Sequence, residues 1–385
     1  MVEKLHEAIT QSNSLRSLQQ LLLAFRAAAH INDSEENQYS YKINDSAESK
    51  KTVPYYACFP KLSERYLKQL LDIWGTAEDK TRIAAFLNIR KLASIAPPPF
   101  IDLCIKKLQS LRCHPSINLM SNCAVEMYGI DLKSSYQSAF NHIRQLAIHL
   151  RNSTNNKNEE TLNTIYNWQY VHCIEYWSKV LANYCDQTRE SKNNKGSLQE
   201  LIYPLVQVCT GVIRLNVTAQ YFPFHFHCIR ALIHLIKKTG TFIPLAPYLF
   251  DILHSAEVYR KPKLATLKPL DFSSTLKTPK AYLHTKVYQD GICEELVELL
   301  FEYYSCYSLS IAFPELAIPA IIQIKRHIKN SKNTKFNKQL QQFIEKMEQN
   351  TKFIEQQRSR IDFSPSNRAE VEAFLKNSDP DSTPL

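Results

Sequence analysis

Tyr203-Pro204-Leu205-Val206 is the first of four stretches in which an aromatic or apolar residue precedes a proline and a run of apolar helix formers. The other three are Phe222-Pro223-Phe224, Phe242-Ile243-Pro244-Leu245 and Phe313-Pro314-Glu315-Leu316. Proline suits the first helical position because it lacks an N–H that would have no partner there, and because its fixed φ matches the helix. Each stretch therefore predicts a helix start, and together they predict a succession of amphipathic helices.

The rest of the apolar pattern is also helical. Residues Leu162–Tyr184 have apolar side chains on more than one stripe, which predicts one helix with neighbours on two sides. Residues Lys338–Arg360 show heptad-like spacing interrupted by Asn350, which predicts a long C-terminal helix. Because almost nothing alternates with a period of two, we predict an all-α fold. It is an α-solenoid of stacked helix pairs, HEAT/armadillo-like, with irregular repeats.

Polar and basic breaks divide this pattern into regions. The predicted order is an N-terminal helix in residues 1–30, a polar linker in 31–60, a helical repeat region in 61–257, an extended basic crossing segment in 258–290, a C-terminal helical region in 291–376 and a disordered tail in 377–385.

Composition argues against several classes of protein. Glu3, Lys4 and Glu7 interrupt the N-terminus, so no signal peptide is predicted. The longest apolar stretch, Ile311–Ile324, is shorter than the roughly 20 residues of a membrane span. The six glycines are too far apart for a phosphate-binding loop, and GxSxG is absent. We therefore predict no enzyme activity, no cofactor, no small-molecule substrate and no membrane association.

Histidine and cysteine neighbours offer a possible metal site. His225, His227 and Cys228 lie close in sequence, but residues two apart on a helix face different directions. We favour core or capping histidines over zinc ligands. The ten cysteines are scattered without a CxxC pair, as in proteins of reducing compartments. No catalytic or metal-ligating residue is predicted.

Basic residues are the stronger signal. Lys plus Arg outnumber Asp plus Glu by 47 to 37, and no acidic residue occurs from Ala317 to Ile344. The candidate RNA-binding residues are Lys325, Arg326, Lys329, Lys332, Lys335 and Lys338, together with Arg260, Lys261 and Lys263. Cations at a helix C-terminus can simply offset its dipole and stay solvated, whereas their continuation into the following loop favours contact with phosphates.

Several sequence blocks are distinctive in combination. They are Trp74-Gly75-Thr76-Ala77-Glu78-Asp79, Ile143-Arg144-Gln145-Leu146-Ala147-Ile148-His149-Leu150-Arg151-Asn152, Tyr166-Asn167-Trp168-Gln169, Tyr221-Phe222-Pro223-Phe224-His225, Lys268-Pro269-Leu270-Asp271-Phe272 and Ser310-Ile311-Ala312-Phe313-Pro314-Glu315. In these blocks the chain resembles the nucleolar complex protein 2 family of eukaryotic ribosome assembly factors. The resemblance spans nearly the whole chain in a single order.

The resemblance implies a non-enzymatic α-solenoid in the nucleus, mainly in the nucleolus and also in the nucleoplasm. It implies a role in assembly and export of large ribosomal subunit precursors, with contact to pre-ribosomal RNA. The implied partners are nucleolar complex protein 1 in early particles and nucleolar complex protein 3 in later ones. Animal relatives imply an alternative, a chromatin-associated corepressor that binds histones or inhibits their acetylation.

Two departures from the family pattern stand out. The long charged N-terminal extension is missing, and the stretch between Ala47 and Glu48 is shorter by a few helices. Two interpretations stay open, a naturally compact family member or a chain from which residues near positions 47–48 and before residue 1 have been removed.

Overall fold

The computed structural model describes residues 60–95, 117–185, 198–360 and 374. The chain divides into two compact units, Met1–Ser135 and Tyr136–Leu385. In the described residues all regular elements are helices, apart from one isolated parallel bridge between Lys263 and Thr285. The predicted all-α class is therefore confirmed for this part of the chain.

The helices are named here in chain order. The first unit contains α1 Pro60–Thr76, α2 Asp79–Ile95 and α3 Ile117–Met127. The following helices are α4 Leu132–Asn155, α5 Glu159–Asn163, α6 Trp168–Tyr184, α7 Ile202–Leu215, α8 Phe222–Thr239, α9 Ala246–Leu253, α10 Ala256–Tyr259, α11 Lys286–Ser305, α12 Phe313–Asn330 and α13 Thr334–Arg358. Short 3₁₀ helices cover Gln199–Leu201, Ala219–Tyr221 and Lys280–Tyr282.

In the first unit, a buried arginine closes the turn between α1 and α2. The Arg82 guanidinium donates to the carbonyls of Trp74 and Ala77 at 2.9 and 2.8 Å and to the Asp79 carboxylate at 2.9 Å. The last carbonyls of a helix have no partners within it, so these bonds satisfy the end of α1. They also leave the buried guanidinium paired.

In the second unit, α8 is the most deeply buried helix. Nearly every side chain from Phe222 to Ile236 is buried, and α8 packs along α6 and also contacts α7 and α11. Pro223 occupies the first turn, as predicted. The helix ends at Gly240, whose φ of 62° lies in the left-handed region that favours glycine.

The C-terminal helices form a hairpin against α11. Only residues 331–333 separate α12 from α13, and Arg358 at the far end of α13 makes a bidentate pair with Glu315 in the first turn of α12. The two helices therefore run antiparallel. On α13, the buried Phe343 packs edge-on against Phe301 and Tyr304 of α11.

The crossing segment, residues 258–290, is tied to the helical core by aromatic and backbone contacts. The Phe272 ring lies between Phe226 and Tyr288, with centroids 5.8 and 6.1 Å away. The Thr278 backbone N–H donates to the Gln220 carbonyl at 2.8 Å, and the Gln220 amide donates back to the Thr278 carbonyl at 3.0 Å. No helix occurs between Arg260 and Pro279, whereas a 3₁₀ helix covers Lys280–Tyr282 and α11 begins at Lys286.

Some predicted helix boundaries were wrong. Pro244 precedes α9, and the proline in the first turn of that helix is Pro247. The predicted helix Leu162–Tyr184 is broken between α5 and α6, because the Asn167 side chain accepts the Tyr170 backbone N–H and caps a new helix there. The predicted N-terminal helix and C-terminal tail lie outside the described residues, and the predicted regional divisions remain predictions.

Candidate nucleic-acid interface

All nine predicted RNA-binding side chains are exposed on the second unit. Lys325, Arg326 and Lys329 lie in the last turns of α12, Lys332 in the connection to α13, Lys335 and Lys338 in the first turns of α13, and Arg260, Lys261 and Lys263 just after α10. They therefore belong to two groups that are more than 60 residues apart in the chain.

A contact between Tyr259 and the buried His327 joins the two groups. The Tyr259 hydroxyl lies 2.9 Å from Nδ1 of His327, and their ring centroids are 4.7 Å apart. Arg260 follows Tyr259 directly, and Arg326 precedes His327. The His327 ring also packs edge-on against Phe336 of α13. The fold thus brings the start of the crossing segment to the junction of α12 and α13.

Two of the nine cations are held by carboxylates. Lys325 Nζ lies 2.7 Å from Glu348 on α13, and Lys335 Nζ lies 2.7 Å from Glu294 on α11. The hydrogen bond to Glu294 raises the pKa of Lys335. These lysines link helices, so part of their charge is neutralised within the protein. The other seven have no carboxylate oxygen within 4.0 Å among the described residues.

Backbone bonds hold Lys263 in place. Its N–H donates to the His284 carbonyl at 2.8 Å, and its carbonyl accepts the Lys286 N–H at 2.9 Å. His284 has a φ of 64°, which costs energy for a residue with a Cβ. The buried Glu257 carboxylate holds it there by accepting the His284 backbone N–H and by lying 2.8 Å from His284 Nδ1.

A single glutamine holds the chain between α10 and Lys263. The buried Gln289 amide nitrogen of α11 lies within hydrogen-bond distance of the carbonyls of Glu257, Val258 and Arg260, at 2.9, 2.8 and 3.1 Å. The backbone of Arg260 is therefore held in place, although its side chain is exposed.

The seven cations without a carboxylate partner, on the two segments that the Tyr259–His327 contact joins, form one candidate surface. We call it the basic surface, and it consists of Arg260, Lys261, Lys263, Arg326, Lys329, Lys332 and Lys338. The dipole of α12 accounts for cations in its last turn, but it does not account for Lys261 and Lys263 on another segment. Exposed ammonium and guanidinium groups on a fixed backbone suit contact with phosphates, which depends on charge and weakens in salt.

Sequence reasoning missed two members of this region, His284 and Lys286. Both border Lys263 through the isolated bridge, and both are exposed. The basic character of residues 260–286 was a signal for Lys286. No sequence signal indicated that a residue about 20 positions away would pair with Lys263, because an isolated bridge leaves no alternating pattern.

The two histidines of the possible metal site, His225 and His227, are buried in the core. His225 is buried, and its Nε2 lies 3.1 Å from the Asn216 carbonyl. His227 packs edge-on against Trp168, with ring centroids 5.2 Å apart. Both lie on α8, and burial lowers the pKa of each, that of His225 to about 4. The structure thus gives each of these histidines a place in the packing of α8.

Stability should fall in mild acid because of His225 and His327. Burial lowers the pKa of both to about 4 from an ordinary value of 6.5. Below pH 6.5 the unfolded chain therefore binds protons that the folded chain does not, and the free energy of unfolding decreases as pH falls toward 4. Between pH 7.5 and 5 the loss is about 2 kcal/mol per histidine.

Urea denaturation at several pH values between 7.5 and 5 would measure this loss. His225→Gln and His327→Gln remove the titrating groups, so each should flatten the pH dependence even if it lowers stability at pH 7.5. His149→Gln serves as the matched control, because the Nε2 atom of His149 contacts only an exposed side chain, that of Gln145, at 3.2 Å in the hydrogen bonds of the described residues. An unchanged pH dependence in both buried-site variants would contradict the assignment.

Residues 102–385, which include α3 to α13 and the whole basic surface, match the Noc2p family. The chain belongs to the Noc2p family. An uncharacterised NOC2 family protein of Schizosaccharomyces pombe is 38% identical to it over 349 residues, which are 88% of this chain and 49% of that relative.

Other Noc2p-family relatives carry more informative names. Nucleolar complex protein 2 of Drosophila melanogaster is 37% identical over 312 residues, 78% of this chain and 40% of the relative. Nucleolar complex-associated protein 2 of Arabidopsis thaliana is 34% identical over 333 residues, 84% of this chain and 42% of the relative. The chain thus spans about half the length of these curated relatives or somewhat less.

The family membership predicted from the sequence blocks is therefore confirmed. The names of the relatives support the predicted nuclear and nucleolar location. None of the helices in the described part of the chain is both long and apolar enough to cross a membrane.

Proposed function

We propose that this chain is a non-enzymatic helical scaffold in the nucleolar assembly and export of large ribosomal subunit precursors. Its helices stack as an irregular solenoid, one surface of which docks another nucleolar complex protein. The partners expected from the family are nucleolar complex proteins 1 and 3. The membership of the Noc2p family and the nucleolar names of its relatives support this role.

Contact with pre-ribosomal RNA is the part of the proposal that the geometry supports best. The single observation that carries it is the Tyr259–His327 contact, which joins two groups of cations into the basic surface. Seven cations there are exposed and have no carboxylate partner in the described residues, so phosphates can neutralise them. Such binding is independent of base sequence.

Charge reversal on the basic surface should weaken RNA binding. The variant R326E/K329E/K332E/K338E leaves Lys325 and Lys335 in their ion pairs and is expected to fold. We expect its affinity for a labelled fragment of precursor RNA to fall roughly tenfold or more, with a shallower salt dependence, because phosphate contacts are lost. Fluorescence anisotropy at several salt concentrations measures both quantities.

A matched control separates local contact from net charge. K68E/K80E/K157E/K352E makes the same change in charge at exposed lysines outside the basic surface. Equal losses of affinity in the two variants would contradict a localised interface. Equal affinity of the first variant and the unmodified chain would contradict RNA contact through this surface.

The cellular role needs its own test. Depletion of the protein should lead to accumulation of unprocessed large-subunit precursor RNA, and expression of the protein should restore processing. Normal precursor processing after depletion would contradict the assembly role, whatever the RNA affinity in vitro.

A further inference from the structure

A second group of basic residues lies where α6 packs on α8. His234, Lys237 and Lys238 are in the last turns of α8, and Lys179 comes from α6. Lys237 and Lys238 are exposed, while Lys179 and His234 are partly exposed. Among the residues that the structure describes, none of the three lysines has a carboxylate oxygen within 4.0 Å.

All three lysines lie near His234, because α6 packs along α8 and Trp168 at the start of α6 contacts His227 of α8. Burial lowers the pKa of His234, and the charges of Lys179, Lys238 and Lys237 lower it further. The α8 dipole explains why Lys237 and Lys238 are tolerated at that helix end. It does not explain Lys179, which adds a third ammonium from a different helix to the same place.

An exposed aromatic ring lies beside these lysines. The left-handed Gly240 ends α8 and turns the chain, and Phe242 follows with 58% of its surface exposed. Its ring rests against Tyr307, with centroids 5.5 Å apart, and the next backbone N–H, of Ile243, donates to the Tyr307 hydroxyl at 3.2 Å. The ring is therefore held in position while more than half of the residue's surface stays exposed.

Tyr307 also connects the ring to the lysines. Its neighbour Cys306 has a thiol whose pKa is raised by burial, and the charge of Lys237 acts in the opposite direction. Phe242 also follows Lys238 by only four residues, across the turn at Gly240, so Lys237 and Phe242 lie on the same corner of the second unit. Clustered cations next to an exposed, fixed aromatic ring are the elements with which proteins bind single-stranded nucleic acid.

We propose that Lys179, Lys237, Lys238 and Phe242 form a binding site for single-stranded RNA. The ammonium groups contact successive phosphates, and one base stacks on the Phe242 ring. This site is separate from the basic surface, and it rests on the proposed function in that the RNA is a precursor of the ribosome. Because the ring needs an unpaired base, the site selects single strands over duplexes.

The lysines and the ring should have different effects on binding of the full chain to a labelled single-stranded RNA of about 15 nucleotides. K179A/K237A/K238A is expected to lower the affinity roughly tenfold and to reduce the slope of log affinity against log salt by about 2, since each phosphate contact on a single strand contributes about 0.7. Phe242→Ala is expected to lower the affinity roughly tenfold with an unchanged salt slope.

Three controls make the result specific. Phe242→Trp keeps a stacking surface and should retain affinity, which a purely structural role for the side chain would not predict. K80A/K157A/K352A removes the same charge elsewhere and should change the affinity less than twofold. Binding of a blunt-ended RNA duplex should be unaffected by Phe242→Ala. Photocrosslinking with 4-thiouridine RNA should label the peptide that contains Phe242.

The outcomes distinguish this site from the basic surface. If the single-stranded RNA binds and only the basic-surface variant loses affinity, the second site is wrong while the proposed function stands. If K179A/K237A/K238A and Phe242→Ala lose affinity and the basic-surface variant does not, the second site stands and RNA contact through the basic surface is wrong. If the unmodified chain binds neither the labelled precursor fragment nor the single-stranded RNA, both proposals of RNA contact are wrong.

Discussion

Phe343→Ala is expected to lower the free energy of unfolding by about 3–5 kcal/mol, the range for removal of a buried aromatic ring that leaves a cavity. Phe343 is fully buried, and its ring packs edge-on against Phe301 at 4.8 Å and Tyr304 at 5.8 Å between ring centroids. These contacts hold α13 against α11. Since α13 carries Lys338 and follows Lys332 of the basic surface, RNA binding should weaken as well.

Urea denaturation followed by circular dichroism measures the change in stability. Phe353→Ala, the same substitution on the same helix at a partly exposed position, is the matched control and should cost clearly less. Equal losses in the two variants would mean that α13 is not anchored through Phe343.

Gly291→Leu is expected to cost about 2–3 kcal/mol, the upper part of the range for overpacking a core. A Cβ atom at Gly291 would lie 2.7 Å from Cε2 of Phe272, closer than carbon atoms approach without a shift. Phe272 cannot move easily because it is buried between Phe226 and Tyr288. The substitution should therefore push the crossing segment away from α11.

A double-mutant cycle tests this cause. Phe272→Ala alone should be destabilising, but Gly291→Leu should cost little in a chain that already lacks the Phe272 ring, because the clash is gone. Strictly additive losses would contradict the proposed contact. A change in RNA affinity in Gly291→Leu would further show that the crossing segment positions Arg260, Lys261 and Lys263.

Local signals predicted several of the helices in the described residues. Pro223 and Pro314 mark the first turns of α8 and α12 because proline suits a helix start whatever surrounds it. By contrast, α11 begins at Lys286, before the C-terminal helical region predicted from residue 291, because the Thr285 side chain accepts the Tyr288 backbone N–H and caps the helix there. Apolar spacing alone does not reveal such a cap.

Polar residues in apolar patterns were harder to interpret from sequence. Asn350 interrupts the heptad-like spacing of α13, yet it is fully buried and its amide donates to the Ser308 carbonyl at 3.0 Å. The partner lies 42 residues away, so the interruption could be noticed in the sequence but not explained there.

The basic residues show the same division between local and long-range information. The sequence alone identified the cations, the all-α class and the family, since these depend on residue type, helical spacing and local blocks. Only the tertiary structure decided that Glu348 and Glu294 neutralise Lys325 and Lys335, and that Tyr259 meets His327. Pairing depends on distances between side chains that are far apart in the chain, and packing of the helices determines those distances. For the same reason, Lys179 lies near Lys237 and Lys238 only in the folded chain, where α6 packs along α8.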